Sequence, residues 1–308
     1  MIVVTGGCGF IGRNLVKKVS KLNLDEDIRV VDLSSSIIRQ KQELSPYVNG
    51  FIEYIDFINN LNILKAGDVV FHQGACTDTM NFDNEEMMYK NFEYSKALFD
   101  YCVANNVRLI YASSASVYGM GTNGFKEDYE CESPINIYAQ SKLLFDNYVR
   151  CYNSNSQVVG LRYFNVYGPG EENKGKMAST VFQFLNQIMD ENIVRPFKGS
   201  DKFLRDFIFV NDLINVNLFF YHNSQKKGIF NCGTGIERSF MDIVNNLQKY
   251  YDFDIIDKEM PEGLMEKYQT FTKANLENLK SVGYMFPFTS LEDGIKKYVE
   301  EYERCQKQ

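Results

Sequence analysis

Residues 1–12 read MIVVTGGCGFIG, and the fold turns on them. Ile2, Val3 and Val4 form a short β-branched run, and Gly6, Gly9 and Gly12 follow at once, spaced three apart, ahead of an apolar pattern of helical period. That order predicts a strand, a tight turn and a helix start. Glycines there let the backbone turn sharply and let a pyrophosphate approach main-chain N–H groups, while the helix N-terminus adds partial positive charge. Turns collect glycine for conformational reasons alone, so the trio matters because it sits between a strand and a helix. The stretch predicts a bound dinucleotide.

Outward from this turn, composition sets limits. The chain has 308 residues, of which 44% are apolar and 24% charged, an ordinary globular balance for one large domain or two. The formal charge of −7 is spread without long runs of one sign, and no basic stripe interleaves with aromatics, which argues against a nucleic-acid partner. No apolar run approaches the roughly 20 residues of a membrane span, and the start is a strand with no basic leader, so a cytoplasmic location and no membrane partner are expected. Seven cysteines never fall at metal-ligand spacing, and only His72 and His222 are available to join them, so no metal is expected and buried reduced thiols are. Cys8 lies inside the glycine turn, yet nothing marks it as a nucleophile.

A helix over Ile11–Leu22 leads to a second buried strand, Ile28–Val31, closed by Asp32. An acidic strand end about 20 residues past the glycines suits the adenosine ribose hydroxyls and favours NAD. Ser34, Ser35, Ser36, Arg39 and Lys41 follow in what reads as one loop, where hydroxyls and cations suit a 2′-phosphate and favour NADP. Both cofactors stay open on these residues. Phe51–Ile55 reads as a third strand ending at Asp56, and Asp68–His72 as a fourth, leading into Gln73, Gly74, Ala75, Cys76 and Thr77 along the carboxyl edge of the sheet, where ligands bind. His72 reads as a core histidine, since no carboxylate or cysteine is spaced to orient it. From Asp83 to Asn105 a long helix is expected, with Met87, Met88 and its aromatics as core.

The strand Arg108–Ala112 delivers Ser113 and Ser114 to the same edge, and Tyr138 and Lys142 follow four apart. On a helix that spacing puts phenol and ammonium on one face. An ordinary tyrosine, with pKa near 10, is a poor base at neutral pH; a neighbouring cation favours the phenolate, and Ser114 is placed to bond the same substrate oxygen. With 20 tyrosines in the chain, a Tyr–Lys pair alone means little. Beside a serine-bearing strand end and a glycine turn it becomes a dehydrogenase-type constellation. Beyond Pro169 the alternation loosens into a smaller substrate domain, while Asp206–Val210 and Ile229–Cys232 are apolar enough to return to the main sheet. Phe240–Tyr251 and Leu291–Tyr302 read as amphipathic helices.

TGGCGFIG, YASSASVYG, YAQSK and RYFNVYGPG together resemble the extended short-chain dehydrogenase/reductase family, whose members mostly modify nucleotide-activated sugars. HQGACTDT, MMYKNFEYSK, RYFNVYGPGEENKGKMAS, FKGSDKFLRDF and KYQTFTKANL bring the likeness closest to its heptose-epimerase branch. The resemblance implies an α/β fold, a Rossmann-type doubly wound parallel sheet with a smaller mixed α/β substrate domain. It implies a dinucleotide domain of 1–166, 206–234 and about 269–285, and a substrate domain of 167–205, 235–268 and 286–308. Ser114, Tyr138 and Lys142 become its triad and Lys174 a second acid/base. Cofactor contacts are implied at Gly6, Gly9, Phe10, Ile11, Gly12, Asp32, Leu33, Arg39, Gln73, Gly74, Ala75, Cys76, Thr77, Lys90 and Asn91, beside Tyr138 and Lys142. Substrate contacts are implied at Asn165, Val166, Lys176, Gln183, Phe197, Lys198, Gly199, Ser200, Arg205 and Tyr268. Lys176 and Gln183 depart from the branch, which carries serine and histidine there.

The resemblance further implies bound NADP, an ADP-linked heptose inverted at C6 for the lipopolysaccharide inner core, and a homo-oligomer, specifically a homopentamer. Two acid/base groups make stereochemical sense, since a hydride that leaves one face and returns to the other needs a proton partner in each orientation. Taken alone, Lys174 among Glu171, Glu172 and Lys176 is an ordinary solvated loop lysine, and Arg205 an ordinary partner for Asp206. Another nucleotide-sugar 4-epimerase or dehydratase is the alternative enzyme, although Ala115 and Ser116 stand where dehydratases of the family carry Asp-Glu. A non-catalytic NAD(P)-sensing protein of the same fold is the alternative of another class.

Overall fold

The computed structural model describes residues 1–22, 25–77, 83–261 and 268–306. Asp78 and Thr79 of HQGACTDT and Lys267 of KYQTFT lie outside the described residues, as does the side chain of Cys305. In chain order the elements are β1 (Ile2–Thr5), α1 (Phe10–Val19), β2 (Ile28–Asp32), α2 (Ser34–Leu44), β3 (Gly50–Glu53), α3 (Tyr54–Asn59), β4 (Val69–His72) and α4 (Asn84–Met88). A π-helical turn (Tyr89–Glu93) joins α4 to α5 (Tyr94–Ala104), followed by β5 (Arg108–Ser114), α6 (Ile137–Arg150), β6 (Val158–Tyr163), β7 (Asn165–Tyr167), α7 (Thr180–Glu191) and β8 (Ile193–Val194). The remainder comprises β9 (Leu204–Phe209), α8 (Val210–His222), β10 (Gly228–Cys232), β11 (Glu237–Ser239), α9 (Phe240–Leu247), β12 (Asp254–Ile255), α10 (Glu277–Ser281) and α11 (Leu291–Gln306).

Seven strands form the main sheet in the order β10-β6-β5-β4-β1-β2-β3. From β3 to β5 neighbours pair in parallel, with Ile2 opposite both Ile28 and Val69. The order reverses between β1 and β4, and such a switch point opens a crevice at the carboxyl ends of the strands. A fully buried β1 is what its β-branched run requires, since helices cover both faces of a parallel sheet.

Three readings of the sequence are corrected here. Ser34–Ser36 open a helix rather than a loop. The third strand ends at Glu53, whose carboxylate accepts the N–H groups of Ile55 (2.7 Å) and Asp56 (3.3 Å) and so starts α3, leaving Asp56 in a helix. Ile229–Cys232 does return to the main sheet as β10, but β9 joins a separate three-stranded sheet, parallel to β7 and antiparallel to β11. The expected helix 83–105 exists with an added π turn at its middle.

The chain divides into two compact units: Met1–Val117, Asn136–Arg162 and Ile214–Phe230 in the first, and Tyr118–Ile135, Tyr163–Leu213 and Asn231–Gln308 in the second. Of the stretches 206–234 and 269–285, residues 214–230 fall in the first unit and the others in the second. Val3, Val31, Val70, Leu98, Phe99, Leu109 and Phe145 build the core of the first. Tyr167, Val181, Leu185, Val194, Phe209, Ile243, Val244 and Ile295 build that of the second. Among the described residues no helix is long and apolar enough to cross a membrane.

Candidate active site

In the first unit the glycine turn is as tight as its sequence demands. Gly6 has φ +64, and a Cβ there would lie 2.6 Å from the Gly74 nitrogen, so the exits of β1 and β4 touch backbone to backbone. A Cβ on Gly12 would lie 2.1 Å from the Gly6 oxygen. The N-terminus of α1 carries no side-chain cap and no acidic residue in its first turn, which leaves a positively polarised helix end at the switch point. These features fit a dinucleotide pyrophosphate.

Asp32 closes the turn from the side. Its Oδ2 accepts the Cys8 N–H (2.9 Å) and its Oδ1 the Leu33 N–H (2.8 Å). Burial raises its pKa, and these bonds oppose the rise. Burial and the nearby Asp32 push the Cys8 thiol up to about 12, so Cys8 is an inert neighbour rather than a thiolate. Leu33 precedes α2, which opens with Ser34 and Ser35, and Arg39 is exposed one turn further on.

The β4 exit is held by two buried polar groups. His72 Nδ1 meets Thr5 Oγ1 at 2.6 Å, and its Nε2 meets Ser95 Oγ at 2.8 Å. Burial lowers its pKa to about 3, so the ring is neutral and structural. Asn91, on the π turn, accepts the Cys76 N–H (2.8 Å) and donates to the Cys76 carbonyl (2.9 Å) and Ser141 Oγ (3.1 Å). Asn91 thus fastens Gln73–Thr77 to α6. Lys90 pairs with Glu86 one turn back.

Tyr138 and Lys142 lie on α6, whose Asn136 cap accepts the Ala139 N–H at 2.8 Å. Burial raises the Tyr138 pKa, and a hydrogen bond with Ser114, at the end of β5, opposes the rise. Ser114 Oγ also accepts from the Ser116 hydroxyl (2.9 Å). Lys142 is buried and donates to the Ala112 carbonyl (2.9 Å); desolvation lowers its pKa to about 8, with Asp146 pulling the other way. Serine, tyrosine and lysine therefore converge where their spacing predicts.

Asp146 completes the helix face, one turn beyond Lys142, and the sequence alone did not single it out. It is fully buried and accepts from Tyr111 (2.9 Å), Ser113 (2.9 Å) and Arg162 (2.9 Å). Its recurrence at i, i+4, i+8 with Tyr138 and Lys142 was the available signal.

In the second unit, Lys174 Nζ lies 3.5 Å from a carboxylate oxygen of Glu171, which is fully buried. Lys176 is exposed, and Gln183 ties its loop to α7 through the Lys176 (3.3 Å) and Ala178 (2.8 Å) carbonyls. Asn165 and Val166 are on β7, where Asn165 Oδ1 accepts from Thr272 Oγ1 at 3.4 Å. Arg205 on β9 is only 6% exposed and lies 5.3 Å from the Tyr268 ring centroid and 5.8 Å from that of Phe240. It does not pair with Asp206, whose carboxylate accepts from Thr234, Gly235 and Ala274, because successive strand residues face opposite ways. Among the described residues no carboxylate balances this guanidinium, which suits an incoming anion. Phe197 packs against Tyr268 with centroids 6.3 Å apart, and buried Ser200 hydrogen-bonds the Phe197 carbonyl beyond Gly199. Lys198 is exposed and pairs with Glu259. Among the described residues no cluster of His, Cys, Asp and Glu is arranged to hold a metal ion.

Comparison with known proteins places these geometries. The chain is 46% identical to the ADP-L-glycero-D-manno-heptose-6-epimerase of Brachyspira hyodysenteriae over 99% of its own length and 98% of that protein's. The crystal structure of the Helicobacter pylori ADP-L-glycero-D-manno-heptose-6-epimerase superposes with a TM-score of 0.86 at 31% identity, covering 98% of this chain and 96% of that one. The UDP-glucose 4-epimerase of Thermotoga maritima, at 24% identity and a TM-score of 0.84 over 99% of both chains, shares the fold. Residues 2–233 match one family throughout, and the chain belongs to the NAD dependent epimerase/dehydratase family.

Proposed function

We propose that the protein is an epimerase that inverts C6 of ADP-D-glycero-D-manno-heptose to the L-glycero epimer by transient oxidation and re-reduction. The observation that carries the reading is the meeting of Tyr138 with Ser114 at the sheet edge, with Lys142 one helical turn on. The substrate follows from the relatives' named activity. A nicotinamide dinucleotide, when bound, would supply both the hydride acceptor and the hydride donor, so oxidation and re-reduction would balance without an outside oxidant. The glycine turn, Asp32 and the Asn91-fastened loop hold and orient it.

Tyr138 takes the C6 hydroxyl proton in one orientation, with Ser114 bonding the same oxygen and the Lys142 cation favouring the phenolate. Lys174 serves the other orientation, its ammonium giving a proton to the ketone oxygen once the 6-keto sugar has turned; exchange with solvent then restores the Tyr138 phenolate and the Lys174 ammonium. Arg205, Tyr268 and Ser200 hold the nucleotide diphosphate; Asn165, Val166, Lys176 and Gln183 contact the sugar. The second reading, a 4-epimerase on another nucleotide sugar, has no need of Lys174.

NADP is the proposed form of the cofactor. Both oxygens of Asp32 are engaged by main-chain N–H groups, and Ser34 and Ser35 stand at the uncapped start of α2 with exposed Arg39 one turn further on, which suits a 2′-phosphate. A cytoplasmic homopentamer feeding lipopolysaccharide inner-core assembly is the corresponding biological setting, with its subunit number tested by light scattering. Proton NMR of the protein with ADP-D-glycero-D-manno-heptose tests the activity. Appearance of the L-glycero epimer with no net reduced cofactor supports it; an unchanged heptose spectrum with cofactor bound overturns it.

A further inference from the structure

We propose that Glu171 is the positioning residue of Lys174, a buried carboxylate that fixes the lysine's ammonium and so governs only the half of the reaction that Lys174 serves. The proposal rests on Lys174 being the second acid/base. Glu171 is fully buried, although it sits in the loop leaving β7. Its Oε1 accepts from the Gly168 N–H (3.1 Å), the Ser179 hydroxyl (2.7 Å) and the Tyr298 hydroxyl (3.4 Å). Its Oε2 accepts the Ser179 N–H (2.6 Å) and faces Lys174 Nζ at 3.5 Å.

Four donors supplied by the loop exit, the cap of α7 and α11 hold the two carboxylate oxygens in place from sides other than that of Lys174. A lysine has a flexible four-carbon stem and loses precision unless both ends are held. Here the Lys174 N–H donates to the Glu171 carbonyl (2.9 Å), and the ammonium meets the same residue's carboxylate. One residue grips the base at its root and its tip, while the Lys174 side chain keeps 28% exposure with which to meet a substrate.

The test uses the holoenzyme in excess over each heptose epimer in turn, with absorbance at 340 nm followed by stopped flow. In steady state both directions share the same steps, so only the first turnover separates the two halves. Glu171→Gln is expected to leave the burst from one epimer within about threefold of the parent and to slow the other by about 30-fold, a part of the roughly 10²–10⁴-fold that a positioned general acid/base contributes. Lys174→Met is expected to show the same asymmetry more strongly. ADP affinity, measured by calorimetry, is expected to be unchanged in both. If Lys174→Met slows both epimers alike or neither, the reading of Lys174 fails and the proposal with it. If Lys174→Met is asymmetric while Glu171→Gln slows both alike or neither, the positioning proposal alone is overturned. Should thermal melts show Glu171→Gln unfolded, Glu171→Asp, which keeps the charge and withdraws it by one methylene, decides by the same asymmetry.

Discussion

Tyr138 and Lys174, for which matching proton work is proposed, stand on very different scaffolds. Tyr138 stands in the first turn of a 14-residue helix that is capped at Asn136, bonded to the β5 main chain through Lys142 and locked to β5 and β6 through Asp146. Lys174 stands on a loop beside a buried glutamate whose own partners are gathered from distant parts of the second unit. The helix-borne group is set by neighbours close in sequence and spacing. The loop-borne group is set by residues such as Ser179 and Tyr298 that no local pattern connects to it.

The sharpest way to break this contrast is Tyr138→Phe. It removes the hydroxyl and nothing else of the ring, and turnover is expected to fall by about 10³-fold or more, with cofactor still bound, in an NMR time course. Next is Lys142. Burial lowers its pKa to about 8, against an unfolded value of about 10.4, so the unfolded chain binds more protons between those values. The stability contributed by this group therefore rises with pH through that window and is reduced below it. Lys142→Met is expected to be inactive yet more stable than the parent at neutral pH, by up to about 3 kcal/mol, with the gap closing toward pH 10.4 in denaturant titrations. A variant no more stable than its parent at pH 7 would remove the idea of a functional residue held against its own solvation.

Smaller effects probe the second unit and the cofactor's far end. Arg205→Lys keeps the charge but loses the fork and the stacking on Tyr268, and ADP affinity is expected to weaken about tenfold by calorimetry, about 1.4 kcal/mol. An unchanged affinity would mean that the buried guanidinium does not meet the diphosphate. Arg39→Ala is expected to lower the preference for NADP over NAD about fivefold, close to 1 kcal/mol for an exposed contact, read from the two dissociation constants. An unaltered ratio would return the preference to Asp32.

Legibility in the sequence follows the same divide. β1, β2 and β4 are visible because parallel strands read as apolar runs, Ser114 because it ends such a strand, and Tyr138 and Lys142 because helical spacing carries them. The helix α2 was hidden because three serines read as loop chemistry and it buries only Gln40 and Leu44, too little for a clear apolar stripe. Tyr54 and Ile55 continued the apolar run of β3, masking the Glu53 cap that ends it. β9 looked like a main-sheet strand because burial on both faces looks alike in either sheet. Lys174, among Glu171, Glu172 and Lys176, read as a solvated lysine, since the burial of Glu171 beside it is imposed from far along the chain. The aromatic setting of Arg205 was hidden in the same way, by the distance to Tyr268.

The π turn at Tyr89–Glu93 carries one more consequence. Such a turn holds an extra residue relative to an α-helix, and each residue rotates a helix face by about 100°. Deleting one residue there would make the segment more regular while swinging Asn91 away from Cys76 and Ser141. The helix is less perfect than it could be so that the loop opposite can be held, and at this place a change of length would do harm that most changes of identity would not.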